Sequence, residues 1–108
     1  MGITKTEIFT DQQNTIAAIA KALGHPARIA ILEYLIKLNS CVCKDFVKEI
    51  GLAQPTISQH LKELKQTGII KGTIEGTSVC YCINDENWKQ IKKILNTFLN
   101  KNQTESCC

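Results

Sequence analysis

No run of apolar residues in this chain approaches the roughly eighteen needed to cross a bilayer. The polar segment at residues 1 to 6 has no apolar stretch of the kind a secretion signal carries. Both absences lead us to expect a cytoplasmic protein with no membrane partner. Nor is there a glycine-rich phosphate loop, a grouping of serine, histidine and carboxylate, or a Cys-x-x-Cys beside a strand–helix–strand unit. No enzymatic activity is expected. Charge of one sign is scarce as well: 13 basic against 10 acidic side chains leave a formal +3. That balance permits a nucleic-acid partner without demanding one, so any basic face must arise from placement. There is no internal repeat or low-complexity segment, and 108 residues fit one domain with a modest core.

Cysteine, by contrast, is plentiful, and it is paired. The six cysteines form three close pairs: Cys41 with Cys43, Cys80 with Cys82, and Cys107 with Cys108. A reducing compartment disfavours structural disulfides, so pairs like these point to metal binding or redox sensing.

Hydrophobic periodicity and helix signals order the rest of the chain. Thr10 and Gln13 form a capping-box pattern, and Ile16, Ile19, Ala20 and Leu23 keep helical spacing until Gly24. Pro26 suits the first position of a second helix, which runs to about Leu38 and is apolar on most sides, as a central helix should be. A short helix is expected over residues 44 to 50, with Phe46, Val47 and Ile50 inward and Gly51 as its stop. After the turn "LAQ", a fourth helix begins at Pro55, carries Ile57, Leu61 and Leu64 on one stripe, and ends at Gly68. That short helix, turn and longer helix have the spacing of a helix-turn-helix. The runs Ile69 to Ile74 and Thr77 to Ile83, around Glu75-Gly76, read as a hairpin. Asn84 caps a last helix with Asp85 and Glu86 in its first turn. The expected fold is mainly α with a small β-hairpin wing, a winged helix-turn-helix over residues 10 to 100, between an extension (1 to 9) and a Cys-ending tail (101 to 108).

Turning Ile57, Leu61 and Leu64 inward turns Gln59 and Lys62 outward, with Thr56 and Ser58 on the flanks. Glutamine can pair bidentately with an adenine edge in the major groove. Lys62, Lys71 and the hydroxyls of Thr56, Ser58 and Thr77 can hold phosphates, and Gln54, just before the helix, is expected among the DNA contacts. Double-stranded operator DNA is the expected partner. Ile16, Ile19 and Leu23 in the first helix, with Trp88, Ile91, Leu95 and Phe98 in the last, form stripes suited to a homodimer interface. Two copies would set their reading helices one DNA turn apart. His25 reads as a helix cap and His60 as a hydrogen-bonded structural residue.

Three segments, "LGHPARIAIL", "LAQPTISQHLKELKQTGII" and "EGTSVCYCIN", resemble the ArsR/SmtB family of metal-responsive repressors over about residues 12 to 99. The resemblance implies a dimeric winged-helix repressor that leaves its operator when an inducer binds. "SCVCKDF" is similar to the "CVCDL" arsenic and heavy-metal motif of some members, which maps onto Cys41 and Cys43. The last helix lacks the histidines of the zinc site other members build there, the motif is one residue longer, and the third nearby cysteine of some members is missing.

The thiols themselves restrict the inducer. Thiolates select soft ions, and a helix start near Cys43 would lower its pKa. Residues two apart on an α-helix diverge by about 200°, so Cys41 and Cys43 can share an ion only if the chain there is extended. On the second wing strand, Val79, Tyr81 and Ile83 are expected inward, leaving Cys80 and Cys82 together on the other face, able to approach Cys41. Cys107 and Cys108 are the alternative source of a further sulfur. As(III) or Sb(III) on three sulfurs is the first expectation. Cd, Pb or Zn in a four-sulfur site is one alternative, and a thiol–disulfide redox sensor is another.

Overall fold

A computed structural model describes residues 8–101. Cys107, Cys108 and most of the two expected end segments lie outside those residues. The elements run α1 (Asp11–Leu23), α2 (Pro26–Leu38), α3 (Phe46–Ile50), α4 (Gln54–Gln66), β1 (Ile70–Glu75), β2 (Ser78–Ile83) and α5 (Asp85–Leu99). This is a winged helix-turn-helix: helical, with one two-stranded antiparallel hairpin. Among the described residues, no single helix is long and apolar enough to cross a membrane.

The capping signals perform as expected because they are local. Thr10 Oγ1 accepts from the Gln13 amide at 3.0 Å, and Gln13 Oε1 accepts from the Thr10 amide at 2.9 Å. Two backbone donors that α1 leaves unpaired are thus satisfied reciprocally. His25 caps α2, its Nδ1 accepting from the Ala27 amide at 3.0 Å. Asn84 caps α5 by accepting from the Asn87 amide.

Ile31, Leu32 and Leu35 of α2, Phe46 of α3, Ile57, Leu61 and Leu64 of α4, Ile69, Ile70 and Ile91 make one core. α2 is central, but Ile29, Ile36 and Leu38 remain exposed. In so small a domain the core covers one side of even its central helix.

Two expectations near the cysteines need correction. The third helix begins at Phe46, not at residue 44, because Asp45 takes a left-handed conformation (φ 77°) that a right-handed helix cannot include. Cys43 therefore lies three residues before the helix, outside the reach of its dipole. The inward face of β2 also differs. Cys80 and Cys82 are both buried, Tyr81 and Ile83 are half-buried, and Val79 is exposed. β2 is flanked on both edges: β1 pairs with it in the register Glu75↔Ser78 to Ile70↔Ile83, and Val42 bridges to Tyr81 on the other side. Cys80 and Cys82 thus have strand neighbours on both sides, Lys71 and Thr73 on one and Cys41 and Cys43 on the other.

A smaller shift occurs at α4, which starts at Gln54 rather than Pro55. Gly68 ends the helix region with φ 80°, and a Cβ there would stand 2.5 Å from Asn87 Nδ2. The wing turns through Gly76 at φ 65°, as a two-residue hairpin turn requires.

Candidate thiol site and nucleic-acid interface

The thiol arrangement is built by one backbone bridge. The Val42 amide donates to the Tyr81 carbonyl at 2.8 Å, and the Tyr81 amide donates to the Val42 carbonyl at 2.8 Å. In an antiparallel pair the residues on either side of such a match face each other on the opposite surface. Cys41 is thereby set against Cys82, and Cys43 against Cys80. Val42 and Tyr81 point the other way, toward Phe46, whose ring meets Tyr81 edge-on at 6.0–6.2 Å, as it does Tyr34. The extended backbone inferred for Cys41 and Cys43 is therefore present at their midpoint.

The four thiols do not form one cluster. Cys43 and Cys80 are joined as a disulfide, their Cα atoms 3.9 Å apart. Cys41 is exposed and Cys82 buried, and both are free thiols linked by a side-chain hydrogen bond. Burial first, then that hydrogen bond and the charge of Cys41, push the Cys82 thiol up to about 11, partly opposed by Lys71. Cys82 thus resists the deprotonation that ligation requires. This second pair borders a cavity of about 370 Å³ lined by Leu35, Asn39, Lys71, Asp85 and Trp88.

An acidic side chain that sequence reasoning missed completes the first pair. A carboxylate oxygen of Glu75 and the sulfurs of Cys43 and Cys80 all lie within 4.8 Å of one another. Strand alternation counted outward from the hairpin turn carries the signal, since Lys71, Thr73 and Glu75 share the face of Cys80 and Cys82. Once the disulfide is reduced, the two thiolates and the carboxylate make a donor set able to hold a cation.

Of the residues expected to contact DNA, Gln54, Thr56, Ser58, Gln59, Lys62, Lys71 and Thr77 are all exposed. Ile57, His60, Leu61 and Leu64 fix α4 from beneath. Gln54 Nε2 donates to Ser58 Oγ at 3.0 Å, and Gln59 Nε2 donates to Glu63 at 3.3 Å. These bonds run along the exposed surface and can be exchanged for contacts to DNA.

His60 anchors α4 to α2. Arg28 Nε donates to His60 Nδ1 at 3.2 Å, while Arg28 Nη1 donates to the Lys21 and Ala22 carbonyls. The His25 ring stands 4.4 Å away. Burial first, then His25 and Arg28, lower the His60 pKa from its ordinary 6.5, against a raising effect of Glu63. The folded protein therefore binds fewer protons here than the unfolded chain. The stability His60 contributes is present above about pH 6.5 and is lost as pH falls through its lower folded pKa. Urea midpoints should decline below pH 6.5 in the natural protein and decline less in His60→Gln.

Of the stripes assigned to a partner copy, Ile19 and Ile91 are buried inside the protomer, and Ile16, Leu23, Trp88 and Leu95 are half-buried. Phe98 is 47% exposed, beside Leu99 at 64%.

The profile of the family described as "Bacterial regulatory protein, arsR family" matches residues 25–71. The chain is 46% identical over 80 residues to an uncharacterized helix-turn-helix transcriptional regulator of Methanocaldococcus jannaschii, covering 73% of this chain and 89% of that one. It is 33% identical to a cadmium resistance transcriptional regulatory protein CadC homolog of Staphylococcus aureus, over 94% of this chain and 83% of the relative. With the arsenical resistance operon repressor of Staphylococcus xylosus it shares 28%, over 85% and 88% of the two chains. Among solved structures, a homodimeric winged helix-turn-helix DNA-binding domain from Mycobacterium bovis aligns with TM-score 0.63 at 21% identity, covering 91% of this chain and 97% of that one. These relatives are regulators, not enzymes.

Proposed function

Since this chain belongs to the ArsR/SmtB family of winged-helix, DNA-binding transcriptional repressors, we propose that it holds operator DNA as a homodimer and releases it when a thiophilic ion binds cysteine thiolates. The ligands are drawn from Cys41, Cys43, Cys80 and Cys82. As(III) or Sb(III) takes three sulfurs; Cd, Pb or Zn is the competing class and can use more.

The observation that carries this reading is the double hydrogen bond between Val42 and Tyr81, which sets both thiol pairs between the lead-in to α3 and the wing. α3 packs on α2 and α4, so an ion that reshapes the lead-in also disturbs the support of the reading helix. A hundredfold loss of operator affinity needs only about 2.7 kcal/mol of coupling. The names of the cadmium and arsenical relatives favour the same ion classes.

A second reading, a reversible disulfide switch, is favoured by the bonded Cys43 and Cys80. Operator binding followed by fluorescence anisotropy separates the two. Under reductant and without oxygen, the ion reading expects release by at least one of arsenite, antimonite, cadmium, lead or zinc, and its loss in Cys43→Ser. The disulfide reading expects release by mild peroxide with no metal, reversed by a thiol reductant. Binding unchanged under every condition overturns both.

A further inference from the structure

The two thiol pairs share a sheet face but have neighbours of opposite charge. Lys71 is the direct partner of Cys82, and Thr73 that of Cys80. Glu75, two residues beyond Thr73, is diagonal to Cys80 on the same face, and its carboxylate meets the sulfurs of Cys43 and Cys80 within 4.8 Å. Cys41 and Cys82 do not enter that group. The first pair thus has an oxygen, not a third sulfur, as its nearest further donor.

We propose that the reduced Cys43–Cys80 pair binds a borderline-soft divalent cation, of the zinc and cadmium class, with Glu75 as the third protein ligand. This rests on the reading that ions reach these thiols, and it names the missing donor. Zinc accepts thiolate and carboxylate together, with bonds of about 2.3 Å to sulfur and 2.0–2.2 Å to oxygen. A tetrahedral ion with such bonds holds its donors roughly 3.3–3.8 Å apart, so reduction must first part the bonded sulfurs, while the Glu75 oxygen already lies within 4.8 Å of both. Two thiolates and a carboxylate carry three negative charges, of which a divalent ion offsets two. Trivalent arsenic, which prefers a third thiolate, is less well served by this set. Glu75 ends β1 beside the turn at Gly76, so the ion would tie the tip of the wing to the lead-in of α3.

Binding starts from the open pair. A trialkylphosphine and water reduce the disulfide to two thiols: two electrons pass to the sulfurs, two protons join them, and the phosphine leaves as its oxide. Ligation then releases one proton from each thiol.

The test is anaerobic calorimetric titration of the phosphine-reduced full chain with cadmium chloride, zinc chloride and arsenite, with cadmium–thiolate absorbance read in parallel. Glu75 is exposed, so Glu75→Gln should fold, which circular dichroism checks. We expect Glu75→Gln to weaken cadmium and zinc tenfold or more, with thiolate absorbance retained at saturation and arsenite affinity within about twofold. Divalent affinity within twofold of the natural protein overturns the role of Glu75 while leaving ion sensing intact. No binding of any of the three by the natural chain, or unchanged binding by Cys43→Ser, overturns this inference together with the wider reading.

Discussion

Val42→Pro should give a protein that still binds operator DNA but has lost at least tenfold of its ion-dependent release, against typical allosteric couplings of about 5–150-fold. Proline removes the amide that donates to the Tyr81 carbonyl at 2.8 Å. That bond fixes which cysteine stands opposite which, and Val42 is buried, so no water replaces the lost donor at small cost. The pairs Cys41 with Cys82 and Cys43 with Cys80 then lose their common register. The reading helix is anchored elsewhere, through Ile57, Leu61 and Leu64, so DNA affinity without ion should change only a few-fold. Val42→Ala is the control: it trims apolar contact and keeps the amide, and it should retain release. Anisotropy titrations of both variants with and without ion check the prediction. Full release by Val42→Pro would show that the bridge does not carry the coupling.

Gln59→Ala should weaken operator binding tenfold or more while leaving binding to random DNA nearly unchanged. A bidentate glutamine–adenine contact is worth about 1–3 kcal/mol of discrimination, and a twofold dimer makes it twice. Gln59 is exposed on α4, and the bond it gives up, to Glu63 at 3.3 Å, is weak. Affinity selection of random operator sites would then show relaxed preference at one position per half-site. Lys62→Ala should differ in kind: it should lower affinity for all sequences alike and reduce the salt slope by about one per protomer. Unchanged sequence preference in Gln59→Ala would take base reading away from that residue.

How far the sequence could be read differs between the two surfaces. The α4 stripe follows from spacing, because 3.6 residues per turn decides which side chains point together. Gln59 and Lys62 are on the opposite side for the same reason, with Thr56 and Ser58 on the flanks. The cysteines were harder. Their pairing on one strand face follows from alternation, which by itself points that face away from the body of the protein, whereas Cys80 and Cys82 are buried. Alternation says which residues share a face without saying what covers it. The start of α3 at Phe46 is not legible in "KDF", because nothing there requires Asp45 to be left-handed; that conformation belongs to the turn between Val42 and α3.

Element order, helix caps, the apolar stripes, the exposed polar row of α4 and the hairpin turn were all determined by the chain's own pattern, since each depends on residues a few positions apart. The meeting of Cys43 with Cys80, 37 residues on, of Cys41 with Cys82, and of Glu75 with the first pair was decided only by tertiary structure. Such contacts depend on which edge of β2 remains open after β1 has paired, and on where α2 and α3 deliver the segment that takes it. No local periodicity encodes that choice.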